Sequence, residues 1–274
     1  MTTAEAIRVS PEWLGLRERA DATARSRDLV RHLRRRLTAG CPLVIHDLGG
    51  GSGAMGRWLA PLLPGPQRWI LHDRDPDLLA LAEADQPGSA ADGSAVTVET
   101  RLGDVTRLGR DELAGASVVT ASALLDLLTE DELAALVGAC AGARCPVLLT
   151  LSVIGHVQWL PADPLDSRVA ASFDAHQRRV TPRGRLLGPD AVEAAADGFR
   201  RLGAEVLVRP SPWRLGVAHP GLAVEWLAGW IDAACEQEPA LAAEADLYRR
   251  RRLREAQAGC LAVTVGHTDL LVLP

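Results

Sequence analysis

Apolar positions along the 274-residue chain fall into short unbroken runs separated by stretches of helical spacing. Residues 11–39 read as a helix. Ser10 offers an N-cap oxygen, Pro11 suits the first helical position, and Leu14, Leu29, Val30, Leu33 and Leu37 recur among Arg and Asp. Gly40 and Pro42 end that segment. Leu43-Val44-Ile45-His46-Asp47 has the pattern of a short buried strand; a glycine turn and helical spacing over 55–63 follow. The alternation repeats as strand 68–73, helix 76–82, strands 96–100 and 116–121, helix 131–141 and strand 146–151. Repeated strand-helix alternation predicts a parallel sheet covered by helices on both faces.

The second half is less regular. Residues 152–189 hold Pro161, Pro164, Pro182 and Pro189 among polar residues, and the expectation is a long functional connection. Residues 189–202 read as a helix with Gly203 just beyond its end, and 204–208 as a sixth strand. Residues 221–256 read as two helices broken at Pro239, the first with a stripe of Trp226, Leu227, Trp230, Ile231 and Ala234. Runs 261–265 and 270–273 fit a last strand bent at Gly266.

The strand-turn-helix unit around residue 50 is where ligand chemistry concentrates. Glycines let a backbone pass close under a ligand and take positive φ, and the following helix start presents free N–H donors. Gly51-Ser52-Gly53-Ala54-Met55-Gly56 satisfies GxGxxG, which alone leaves a dinucleotide open. Three acidic positions change the picture. Asp47 precedes the glycines at the strand end, where a carboxylate suits a cationic ligand group and would repel a pyrophosphate. Asp73 closes the second strand and can accept ribose hydroxyls. Asp104 follows the third strand and can take an adenine amino hydrogen, with Val105 and Arg74 lining the ring's faces.

In this set of residues the chain resembles the class I S-adenosylmethionine (SAM)-dependent methyltransferases of small-molecule type. Asp47-Leu48-Gly49-Gly50-Gly51-Ser52-Gly53 resembles the family's first motif, the run from His72 to Leu79 the second, Leu102-Gly103-Asp104-Val105 the third, and the run from Val118 to Leu128 the fourth. The resemblance covers residues 40–151 in motif detail. It implies an α/β, Rossmann-like, seven-stranded, mostly parallel sheet with helices on both faces, plus helical or loop insertions forming a substrate cap. One domain would span residues 1–274: a helical cover over 1–40, a SAM-binding core over 41–151, and cap insertions at 152–189 and 211–258. By carry-over, Asp47, Gly49, Gly51 and Gly53 would surround the methionine half of SAM, Asp73 the ribose, and Asp104 and Val105 the adenine. Thr120, Ala121 and Ser122 would line the sulfur and methyl region. Arg17 and Arg25, on the covering helix, are candidates to meet the SAM carboxylate.

For the methyl acceptor, residues 152–189 concentrate hydrogen-bonding and aromatic groups. Trp159, Phe173 and Gln177, with Asp126 after the fourth strand, are the expected substrate contacts; His156 and His176 are candidate general bases toward a hydroxyl. The expected reaction is transfer of methyl from SAM to a small molecule, at oxygen by in-line displacement, leaving S-adenosyl-L-homocysteine (SAH). An NAD-dependent oxidoreductase, an RNA methyltransferase and an inactive SAM-binding protein stay open as alternatives.

Composition narrows this further. The formal net charge is -5, with 30 basic residues, every one arginine; this argues against a broad nucleic-acid footprint. Arg249-Arg250-Arg251-Arg252 on a helix would point around the whole cylinder rather than form one face. The five cysteines have no metal-ligand spacing, so no metal is expected. Neither a signal peptide nor a membrane-length apolar run is present in the pattern, and a cytoplasmic protein is expected. The pattern sets no oligomeric state.

Overall fold

Strand β1 (Leu43–Leu48) pairs in parallel with β2 (Gln67–Asp73) on one side and β4 (Val118–Ser122) on the other in the computed structural model, which describes residues 9–38 and 40–274. Residues 1–8 of the expected cover and Ala39 at the expected helix end lie outside the described residues. β3 (Val96–Leu102) adds to β2, and β5 (Val147–Leu160) adds to β4. After a small hairpin of β6 (Val180–Thr181) and β7 (Gly184–Arg185), β8 (Glu205–Pro210) and the short β9 (Trp213–Leu215) both run antiparallel to β10 (Ala262–Leu273), which in turn lies antiparallel to β5. The eight-stranded sheet has the order β3-β2-β1-β4-β5-β10-β8, with β9 beside β10. The chain works outward from β1 to β3 and then crosses back to β4. That reversal opens a crevice at the carboxyl ends of β1 and β4, where α/β sheets bind ligands.

Strands buried on both faces explain the near-continuous apolar runs. Along β10, Leu270 and Val272 join the core packed on α5 (Glu130–Gly142) and α7 (Ala191–Arg201). The intervening Leu271 and Leu273 join the opposite core, packed on α2 (Arg27–Arg34), α3 (Ala54–Leu59) and α4 (Pro76–Ala84). A third core lies beyond the sheet edge. There α6 (Asp166–Gln177), α8 (Pro220–Gln237) and α9 (Ala242–Gln257) pack with β9, the first half of β10 and α1 (Pro11–Ala24). This third cluster is the cap.

Three expectations are corrected. The single helix over 11–39 is two helices, α1 and α2. Arg25 turns extended at ψ 137, and Ser26 restarts the helix by accepting the Leu29 N–H at 3.3 Å. The region 152–189 is largely ordered secondary structure, because β5 continues to Leu160 under cover of β10, followed by α6 and the hairpin. The cap region at 211–258 contributes a strand, β9, which makes the sheet eight-stranded instead of seven.

The expected bend at Gly266 is a break in the β10–β5 register between Val265 and His267. A Cβ at Gly266 would lie 3.0 Å from the His156 carbonyl oxygen, so only glycine lets the strands close there. The four consecutive arginines of α9 each face a carboxylate: Arg249 meets Asp232, Arg250 meets Asp246 at 3.6 Å, Arg251 meets Asp163 at 2.8 Å, and Arg252 meets Asp166. Arg252 is fully buried beneath the cap and also holds the Pro161 carbonyl at 2.7 Å. Arg249, Arg251 and Arg252 therefore tie α9 to the rest of the cap, and Arg250 pairs within its own helix. Among the described residues no helix is long and apolar enough to cross a membrane.

Candidate active site

A cavity of about 880 Å³ opens at the carboxyl ends of β1, β4 and β5 and extends under the cap. Its floor is the glycine turn. Gly49 (φ 65) and Gly51 (φ 53) take the left-handed conformation, and a Cβ on Gly50 would stand 3.0 Å from Leu71 and 3.1 Å from Asp47 Oδ2. The Gly51 N–H donates to Asp73 Oδ2 at 2.9 Å, and Asp73 Oδ1 accepts from the Asp75 N–H at 2.9 Å. Those bonds lock the turn to the end of β2 and leave each Asp73 oxygen a further lone pair. Gly49, Gly51 and Asp73 all line the cavity. Gly53 (φ 85) does not. It starts α3 and lets that helix approach Ala82, whose Cβ would lie 3.2 Å from an added Cβ.

Asp47 is buried at the cavity floor. Its Oδ1 accepts the Thr120 hydroxyl at 2.7 Å, whereas Oδ2 has no partner among the described residues. Burial pushes its pKa up to about 7. Thr120 and Ala121 do not line the cavity; Thr120 acts through Asp47, and Ser122 is the one residue of that expected trio in the cavity wall. Opposite charge comes from the α1–α2 break. Arg25 is buried with its guanidinium over Trp58, donates Nη2 to Ser122 at 3.1 Å, and lies 3.8 Å from Asp21. Its Nε and Nη1 have no acceptor among the described residues. Burial lowers its pKa from the usual arginine value, against the attraction of Asp21.

Asp21 was not anticipated. It is buried and accepts from Arg17 Nε at 2.9 Å and from Trp213 Nε1 at 2.9 Å, tying α1 to β9. Arg17 lies over the Trp213 ring and is held by this bond, so Arg25 is the arginine with donors to spare. The signal was present as Arg17, Asp21 and Arg25 at helical i, i+4 spacing.

Asp104 caps the turn after β3, accepting the Thr106 N–H at 3.0 Å and hydroxyl at 2.7 Å. Burial pushes its carboxyl up, but these bonds and Arg107 outweigh it and hold the pKa below the usual carboxylate value. Asp104, Val105 and Arg74 line one end of the cavity.

The other end lies under the cap. Asp126, Phe173 and Gln177 line it. Burial raises Asp126 to about 6, against Arg17 and Arg179. His156 lines it too, exposed at the rim of β5. His176 does not. It sits on the far side of α6, paired with Glu236 of α8 at 3.2 Å. Trp159 does not line it either. Its ring packs behind Trp226 and Trp230, under the Arg252 guanidinium.

The residue that sequence reasoning missed here is His267, which is buried and lines the cavity. Its Nδ1 lies 3.1 Å from the Val265 carbonyl, which can only accept. Nδ1 must therefore carry the hydrogen, and Nε2 the lone pair. Burial pushes its pKa down to about 3.

No protein-family model matches the chain, and no curated protein matches it. Solved structures do. The cyclopropane synthase MmaA2 from Mycobacterium tuberculosis is similar at TM-score 0.51 and 13% identity, over 97% of this chain and 95% of that one. The fold is that of the class I methyltransferases. A SAM-dependent methyltransferase from Geobacter sulfurreducens in complex with SAH is similar at TM-score 0.46 and 16% identity, over 97% of this chain and 98% of that one. One from Thiobacillus denitrificans, also in complex with SAH, is similar at TM-score 0.47 and 16% identity, over 98% and 100%. In this methyltransferase-fold chain the cavity occupies the crevice at the strand-order reversal and extends under the cap helices.

Proposed function

We propose that the chain is a SAM-dependent methyltransferase that acts on a small molecule, at oxygen. The observation that carries this is a pair of opposite, incompletely satisfied charges in one cavity: Asp47 Oδ2 at the floor, and Arg25 Nε and Nη1 above it. Leaving such groups buried and unpaired costs free energy that a matching ligand recovers. An α-ammonium fits the carboxylate and an α-carboxylate fits the guanidinium, as the amino-acid end of SAM requires. A pyrophosphate would set its negative charge beside Asp47. Asp73 would hold the ribose hydroxyls, and Asp104, Val105 and Arg74 the adenine.

SAM would supply an electrophilic methyl on a sulfonium. In transfer, the acceptor oxygen bonds to the methyl carbon, the carbon–sulfur bond breaks with its pair left on sulfur, and the hydroxyl proton passes to a base. The chain's part is to align the two partners and take the proton. Asp126 is the candidate base, since a carboxyl at about 6 is ionised at neutral pH yet still basic enough to accept a proton. His267, held at about 3, is too weak a base for that step; its Nε2 serves as a hydrogen-bond acceptor. His156, at the rim, remains a candidate contact to the acceptor.

Titration with SAH is the test. Arg25→Ala and Asp47→Asn should each weaken SAH binding by about ten-fold or more. Unchanged affinity in both variants would exclude this pairing.

A further inference from the structure

The cap end of the cavity has a chemical character of its own. Trp226 and Trp230 stack with ring centroids 5.4 Å apart, and Phe173 meets Trp230 at 6.1 Å; all three line the cavity. Asp174 of α6 and Glu225 of α8 line the same end. Neither carboxylate has a cation within 4 Å among the described residues. The arginines that reach the same walls are already matched, Arg17 by Asp21 at 2.9 Å and Arg183 by Glu132 at 2.6 Å. Asp174 is also the wall opposite Gly155, where an added Cβ would meet its Oδ2 at 2.7 Å; the cap closes tightly onto β5 at this carboxylate.

Two further groups want partners. Trp230 is almost wholly buried, and among the described residues its Nε1–H has no acceptor and the buried Gln177 Oε1 has no donor. The chamber therefore presents aromatic faces, two carboxylates without an ion-pair partner among the described residues, one spare N–H donor and one spare amide oxygen. Aromatic faces attract cations through the ring quadrupole, and carboxylates next to them add to the same preference. An anionic ligand there would meet Asp174 and Glu225, and Arg178, the cation acting on Asp174, is itself bound by Asp190 at 2.6 Å.

Building on the methyltransferase reading, we propose that the acceptor is a small organic cation: a protonated or quaternary amine on an apolar or aromatic body that also bears a hydroxyl. The nitrogen is the anchor, held between the Trp226–Trp230–Phe173 faces and the carboxylates of Asp174 and Glu225. A protonated nitrogen has no lone pair to attack with, so this anchoring leaves the hydroxyl as the nucleophile, directed toward Asp126. The hydroxyl or a second oxygen of the acceptor meets the Trp230 N–H.

The full chain, with and without SAH, can be titrated with three probes of similar shape while tryptophan fluorescence is followed: benzyltrimethylammonium, benzyl alcohol and benzoate. Benzyltrimethylammonium should bind saturably and about ten-fold more tightly than benzyl alcohol, with benzoate weakest. Asp174→Asn with Glu225→Gln should remove most of that preference. Equal binding of cation and alcohol, tighter binding of benzoate, or an unchanged preference in the double variant would overturn the proposal. The three-probe comparison on the unaltered chain stands independently of how the variants fold. SAH binding is read in the same titrations. A chain that binds SAH without cation preference defeats this inference alone, and a chain that prefers the cation but binds no SAH defeats the methyltransferase reading alone.

Discussion

Asp47 uses its two oxygens differently, one on Thr120 and one with no partner among the described residues, and its burial makes that difference measurable. With a folded pKa of about 7 in place of 3.8, the carboxyl is protonated in the free protein at mildly acidic pH. An arriving ammonium favours the ionised form, so binding below pH 7 must displace that proton. SAH affinity should therefore fall as pH drops from 7.5 to 5.5, approaching about ten-fold per pH unit, and binding should release a proton. Calorimetry in buffers of different ionisation enthalpy reads this directly. In Asp47→Asn the dependence should flatten; a wild-type affinity independent of pH would mean that Asp47 does not face the ammonium. Asp126 makes a second pH prediction. With an acceptor that supports turnover, kcat/KM should rise with pH through about 6. Asp126→Asn should remove that limb and lower kcat by about ten-fold or more. An unaltered pH profile in that variant would remove Asp126 as base. Asp47, Asp73 and Asp104 were legible as cavity residues because each sits at or just past the carboxyl end of a strand, at the edge where the crevice opens. His267 was not, since its role depends on a carbonyl two residues away that a bulge brings under its ring.

Element boundaries near the site rest on Asp269, a fully buried carboxylate of β10. Its Oδ2 accepts the Ser26 N–H at 2.7 Å; its Oδ1 accepts the Leu151 N–H at 2.8 Å and the Ser211 hydroxyl at 2.5 Å. It thus fastens the α1–α2 break, the point in β5 where Leu151 takes φ 56, and the link from β8 to β9. Arg25 is the residue next to Ser26, so the position of the guanidinium is set through this carboxylate. Asp269→Asn leaves one of these donors facing an amide nitrogen, which should cost about 1–3 kcal/mol of stability. It should also weaken SAH binding, although Asp269 does not line the cavity. Denaturant unfolding and SAH titration check the two effects; lost stability with unchanged SAH affinity would break the link to Arg25. The same contacts explain what the pattern concealed. Asp21, Arg25 and Ser26 read as ordinary polar residues of one long helix, because their partners Trp213, Ser122 and Asp269 are remote in sequence. The outer half of β5 changes from a continuous apolar run to alternation at Val153, Val157 and Trp159, and that weaker strand signal was taken for a connection.

At the scale of the whole molecule, the core of the fold was legible because parallel strands buried on both faces leave apolar runs punctuated by helices. The cap was legible only as helices. Its placement depends on ion pairs such as Arg168 with Glu238 and Arg251 with Asp163, and no local pattern encodes those. The same pairing weighs against the arginine run of α9 as a nucleic-acid contact, since these side chains face the chain's own carboxylates. The remaining enzyme alternative, a nicotinamide-dependent oxidoreductase, shares the glycine turn and differs in the charge it asks of Asp47 and Arg25. Calorimetric titration of the unaltered chain with SAM, SAH and NAD decides between them. The account predicts saturable one-to-one binding of SAM and SAH and none of NAD; binding of NAD without binding of SAM or SAH would contradict it.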